Sequence, residues 1–141
     1  MKQIFSIAIL FMAFACKPMG EPTMFWHATY QNNSSVDIAL IAYRGANEYK
    51  YDIAVGESKE FASYDCGFNG DVGNDFFTGN FESDSVQIVF AEERVLTYSN
   101  IDKLMSLGEQ SIERVNEYHT RHYITVKITP EMYESAVPIA K

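Results

Sequence analysis

From residue 25 onward apolar side chains recur at every second position, and a period of two marks β-strands that bury one face. The alternation runs through residues 25–31, 36–44, 48–55, 58–64, 85–91, 95–99 and 121–128, with Gly, Asn, Asp and Ser concentrated in the turns between them. In 36–44, Val36, Ile38, Leu40 and Ala42 share one face while Ala39, Ile41 and Tyr43 share the other. A strand apolar on both faces belongs inside a sheet. In 48–55, Tyr49, Tyr51, Ile53 and Val55 alternate with Glu48, Lys50, Asp52 and Ala54, so one face meets water.

Two stretches break the period. Ile101, Leu104, Met105 and Gly108 fall at helical spacing behind Ser99 and Asn100, which predicts a short helix over 101–107. Thr129-Pro130 reads as an N-cap with a first-turn proline, opening a second helix over 131–136. Residues 108–119 show neither period and read as loop, with room for a helical turn at 112–116. The expected fold is therefore mostly β: a single antiparallel β-sandwich over residues 25–141, immunoglobulin-like in architecture, with one or two short helices. The one tryptophan, Trp26, lies on the first strand rather than the third, so the strand order stays open.

Ahead of this domain stand Lys2, an apolar run over residues 4–15, and Cys16. A membrane span needs roughly 18–20 apolar residues, so this run is too short to span and reads as a signal peptide over 1–15. Ala13-Phe14-Ala15-Cys16 resembles the lipobox of bacterial lipoproteins, which implies acyl chains on Cys16. Residues 16–24, with Pro18, Gly20 and Pro22, then form a lipidated tether. An ordinary cleaved signal, leaving Cys16 as a plain thiol, is the alternative. Acylation would leave Cys66 without an intramolecular partner.

Removing residues 1–15 takes one of the 11 basic residues, Lys2, and none of the 19 acidic ones. A chain this acidic repels nucleic acid. The loop from Asp65 to Asp75 offers Asp65, Asn69, Asp71 and Asp75 as oxygen ligands for calcium, yet as an EF-hand loop it fails, with Gly67 at the third position and Phe76 at the twelfth. Phe68, Phe76, Phe77 and Phe81 make the same region a candidate ligand loop, for a sugar ring or a protein. His119 and His122 are three apart, which would put them on one side of a helix but on opposite faces of a strand, where they cannot share an ion without a bulge. No motif for a cofactor or a catalytic nucleophile occurs.

The lipobox-like end, Tyr30-Gln-Asn-Asn-Ser-Ser-Val-Asp-Ile38, Asp84-Ser-Val-Gln-Ile-Val-Phe90 with Tyr98, and Tyr123-Ile-Thr-Val-Lys-Ile-Thr-Pro-Glu-Met-Tyr133 together resemble the small secreted lipoproteins of Bacteroidetes-type bacteria. The resemblance implies attachment to the outer membrane, facing the periplasm or the surface, and a β fold without an assigned activity. Asp84-Ser85-Val86 also looks like the O-glycosylation site of those bacteria, implying a glycan on Ser85 if that residue begins its strand at the surface. The expected role is non-enzymatic binding or scaffolding of a protein or glycan. The alternatives are a small envelope hydrolase using Asp71, Asp75 or His122, and a subunit or assembly factor recognised by an exposed edge strand. Cells fed an alkyne fatty acid are expected to label the wild-type chain and not Cys16→Ser; equal labelling of both would refute the anchor.

Overall fold

The alternating stretches all pair as strands, and two more strands join them. The computed structural model describes residues 23–64, 76–79 and 82–140. Among these the order is β1 (Thr23–Asn32), β2 (Ile38–Arg44), β3 (Asn47–Ile53), β4 (Ser58–Tyr64), β5 (Ser85–Phe90), β6 (Arg94–Tyr98), α1 (Ile101–Met105), β7 (Glu109–Arg114), β8 (His119–Ile128), α2 (Pro130–Ser135) and β9 (Val137–Pro138). They form two sheets, sheet A with the order β4-β1-β8-β7 and sheet B with the order β3-β2-β5-β6-β9. Most pairs are antiparallel, and the exception is β1 with β8, which run parallel from Thr23↔His119 to Asn32↔Ile128. The mostly β fold of two largely antiparallel sheets with two short helices is as expected, and the β1–β8 pair adds a parallel element that the alternation does not announce. The strand that opens the domain and the strand that nearly closes it enter sheet A from the same end.

Each sheet turns one face inward at the centre, even-numbered in β1, β2, β5 and β8 and odd-numbered in β3 and β4. Ala28, Tyr30, Phe61, Ile124, Val126 and Ile128 of sheet A share one core with Ile38, Leu40, Ala42, Ile53, Val86, Ile88 and Phe90 of sheet B. As its two apolar faces predict, β2 is interior, between β3 and β5, and its first five residues are all buried. Val55 departs from expectation: it lies beyond the end of β3 and is 49% exposed. Hairpin β2–β3 turns on Gly45-Ala46, with Gly45 at φ +56, a left-handed conformation that glycine adopts without steric cost. The Asp84 carboxylate fixes that turn by accepting the Gly45 N–H at 2.6 Å.

Both helices form where the spacing placed them, α1 two residues shorter and α2 shifted by one residue toward the N-terminus. Asn100 caps α1, its side-chain oxygen accepting the Lys103 N–H at 3.1 Å, and Ile101, Leu104 and Met105 enter the core. At the end of α2 the Arg94 guanidinium donates to the carbonyls of Tyr133 (3.1 Å) and Glu134 (2.9 Å), which satisfies acceptors the helix leaves open.

Residues 109–114 are the larger correction. They form β7, not loop or helical turn, because the backbone of β8 offers them a ladder from Glu109↔Thr125 to Arg114↔Thr120. Phe76 and Phe77 are a second correction: they are 2% and 0% exposed, and so are core residues instead of a ligand-presenting pair. Phe77 stacks on Phe61 with ring centroids 4.8 Å apart and meets Tyr51 edge-on at 5.4 Å. Its carbonyl accepts a 2.7 Å hydrogen bond from the Tyr30 hydroxyl, which is wholly buried.

Burial raises the Tyr30 phenol well above its ordinary value, because no water solvates a phenolate there. The raised value makes Tyr30 neutral in both states at low pH, whereas above about pH 10 the unfolded chain loses the proton that the fold retains. Its contribution is thus complete below about pH 10, and stability falls above that by about 1.4 kcal/mol per pH unit. Tyr30→Phe is expected to cost about 1–3 kcal/mol at neutral pH by leaving the Phe77 carbonyl without its donor. Urea midpoints of the two proteins should then converge above pH 10; a constant gap would refute the titration.

Candidate functional site: the open edge of sheet A

Strand β7 ends sheet A, and all six of its residues are exposed. Hydrophobic periodicity does not make it a strand; its two ends and its partner do. The chain reaches it through Gly108, whose N–H donates to the Met105 carbonyl at 2.9 Å and closes the turn after α1. A Cβ at Gly108 would come within 2.9 Å of the Thr125 carbonyl oxygen and 3.0 Å of Ile124, so only glycine lets the backbone lie this close to β8. At the far end Val115 donates to the His119 carbonyl at 3.0 Å, and Asn116 accepts from the Tyr118 N–H at 2.8 Å, which turns the chain back into β8.

The outward face of this hairpin is polar. Lys127 donates to Glu109 at 2.8 Å, and Glu113 takes the Tyr123 hydroxyl at 3.1 Å with Arg121 at 3.5 Å. The hydrogen bond and charge of Lys127 hold the Glu109 carboxyl below the usual range. The opposite face, continuous with the core, is differently built. Trp26, His122 and Ile112 stand opposite one another in a row across β1, β8 and β7. Trp26 and His122 stack at 4.4 Å with 24° between their planes, and both are only half-buried. Ile112 continues that row and is 67% exposed, with Met24 nearby on β1 at 41%. The β1–β8 register makes two further stacks, His27 on Tyr123 at 5.0 Å and Phe25 with His119 at 6.1 Å.

The parallel register explains the fate of the histidines. His122 lies on the row with Trp26 while His119 belongs to the other face and bonds Asn116 through Nδ1 at 2.9 Å, so the two are separated as their spacing predicts. His27 Nδ1 faces Glu60 Oε1 at 3.2 Å on the open outer surface. Among the described residues no three His, Cys, Asp or Glu side chains are grouped to hold a metal ion. Cys16, Cys66, Phe68, Phe81 and the calcium candidates Asp65, Asn69, Asp71 and Asp75 lie outside the described residues, so the hydrolase set of Asp71, Asp75 and His122 is represented only by His122. Ser85 opens β5 half-buried, beside an exposed Asp84 whose carboxylate is engaged with Gly45.

A concavity of about 630 Å³ lies on the outer face of sheet B. Ala39, Ile41 and Val89 form its floor, and Lys50 and Asp52, paired at 3.5 Å, stand at its side. Its rim includes Ala91 and Glu92, which hold left-handed backbone angles of +48° and +58° in the β5–β6 turn, positions where glycine or asparagine is ordinarily found.

Comparison with protein-family models, curated protein sequences and solved structures returns no match for this chain. Among the described residues no helix is long and apolar enough to cross a membrane.

The edge itself escaped sequence reasoning because Glu109-Gln-Ser-Ile-Glu-Arg114 carries one apolar residue in six. The signal that points to it is indirect: Gly108 stops a helical pattern, and a polar stretch of strand length then leads into the strongly alternating 121–128. Gly108→Ala should lower unfolding stability by about 1–3 kcal/mol through the Thr125 clash. Ile112→Lys should stay within about 0.5 kcal/mol of wild type, since its side chain already stands in water. Equal urea midpoints for wild type and Gly108→Ala would overturn the close-approach argument.

Proposed function

We propose that this protein is a lipid-anchored cell-envelope component that binds other protein chains by strand addition along β7, acting as a subunit or scaffold and not turning over a substrate. The single observation that carries the reading is β7 itself, a sheet-ending strand exposed at every residue. Among the described residues no strand pairs with its outer edge, so its backbone is available to an incoming strand, and Ile112 with the Trp26–His122 stack supplies an apolar footing for alternate side chains of that strand. An anchor at Cys16 would leave residues 17–22 between the acyl chains and Thr23, a reach of at most about 24 Å. That tether would hold the β1 start and the β7–β8 turn at the membrane-proximal end, because Thr23 pairs with His119. The negative charge of the chain suits a protein partner better than nucleic acid or an anionic lipid surface.

A tagged full-length chain, purified from its own envelope in mild detergent, is expected to bring down partner chains that Ile112→Lys loses by tenfold or more. The lysine adds a charge to the edge, a device by which natural sheets refuse new strands. Recovery of the same chains in the same amounts with Ile112→Lys would refute strand addition at β7.

A further inference from the structure

We infer that the strand received by β7 is the β7 of a second copy, an inference that rests on the strand-addition reading above. A two-fold axis normal to a sheet pairs two edge strands antiparallel and joins like faces only, so opposing residues share parity. The registers centred on Ser111 and Ile112 each pair five of the six residues of β7, those centred on Gln110 and Glu113 only three, and charge separates the two longer ones. Centring on Ser111 sets Glu109 against Glu113 twice, as centring on Glu113 sets that carboxylate against its own copy. Like charges directly opposite are destabilising in a sheet. Centring on Ile112 avoids both: Ile112 meets Ile112, Ser111 faces Glu113, and Gln110 faces Arg114, each of the latter pairs occurring twice. Hydroxyl with carboxylate and amide with guanidinium are hydrogen-bonding pairs.

The same register solves the exposure of the inner face. Trp26, His122 and Ile112 already form a row across three strands of one copy. Centring on Ile112 makes that row continuous with its symmetry mate, so Ile112, 67% exposed in the single chain, is covered by an identical side chain and two four-stranded sheets become one of eight. The β9 edge of sheet B, by contrast, is blunted against such pairing, since β9 has two residues and one is Pro138.

Single cysteines read the register directly. In the full-length protein carrying Cys66→Ser, in its own oxidising envelope, Ile112→Cys places two thiols directly opposite. Directly opposite Cα atoms lie about 4.5–5.5 Å apart, within the span of a disulfide. Non-reducing electrophoresis is expected to show mostly covalent dimer for Ile112→Cys and mostly monomer for Ser111→Cys, also exposed, the dimer collapsing on reduction. The double variant Gln110→Cys/Arg114→Cys should also cross-link between chains, which guards against a local fault at 112. Monomer for both Ile112→Cys and the double variant would overturn the self-pairing. If Ile112→Lys still abolished capture of some other chain, strand addition would stand without it. Cross-linking of Ser111→Cys as efficient as Ile112→Cys would overturn the register.

Discussion

The side chain of Asn32 is the point on which the two sheets depend. It is fully buried where β1 leaves sheet A to begin sheet B, and its amide donates to the carbonyls of Val36 (2.9 Å) and Ile53 (3.0 Å). Its carbonyl oxygen accepts the Ser34 N–H at 3.1 Å and the Ser34 hydroxyl at 2.6 Å. The backbone on either side is bonded to Glu57, Gly56 and Ile128. One residue thus joins the crossover, the end of β3, the turn into β4 and the end of β8. A corner that leaves one sheet for another strands backbone carbonyls away from water, and a buried amide with every partner supplied removes that cost.

With that corner fixed, the sheets are closed at one end and unequal at the other. The core aromatics Tyr30, Phe61, Phe77 and Tyr51 fill the middle by edge and stacked contacts. Beyond them the inner face of sheet A continues through Trp26, His122 and Ile112 with decreasing cover. Imidazole packed on indole gives the inner face of the parallel β1–β8 pair a half-wet platform, and imidazole packed on phenol, His27 on Tyr123, does the same on the outer face. The open strand and the Trp26–His122 stack are therefore parts of one surface, since Ile112 continues their row.

Much of this was legible in the residues. The double apolar face of residues 36–44 predicts an interior strand, and the helical spacing behind Asn100 predicts α1, because both signals are local. Pairing is not local. Nothing in the period of 25–31 says that β1 will lie parallel to β8, and nothing in Glu109–Arg114 says strand until the ladder of β8 is beside it. Phe76 and Phe77 were ambiguous for a related reason: aromatics beside a glycine-rich loop suit a binding surface and a core equally, and the space beneath Tyr30 and Phe61 decides. Opposite placement of His119 and His122, by contrast, follows from strand geometry alone.

The parallel pairing of β1 with β8 also sets a clock. Sheet A cannot acquire its central pair until residues 119–128 have emerged, since β1 has only β4 on its other side. Closure of so distant a contact is slow compared with hairpin formation, so β2–β3 and β5–β6 are free to form while β1 still waits. Until then β1 can be held along one edge only, by β4, and the edge that will meet β8 stays open for most of the chain's emergence.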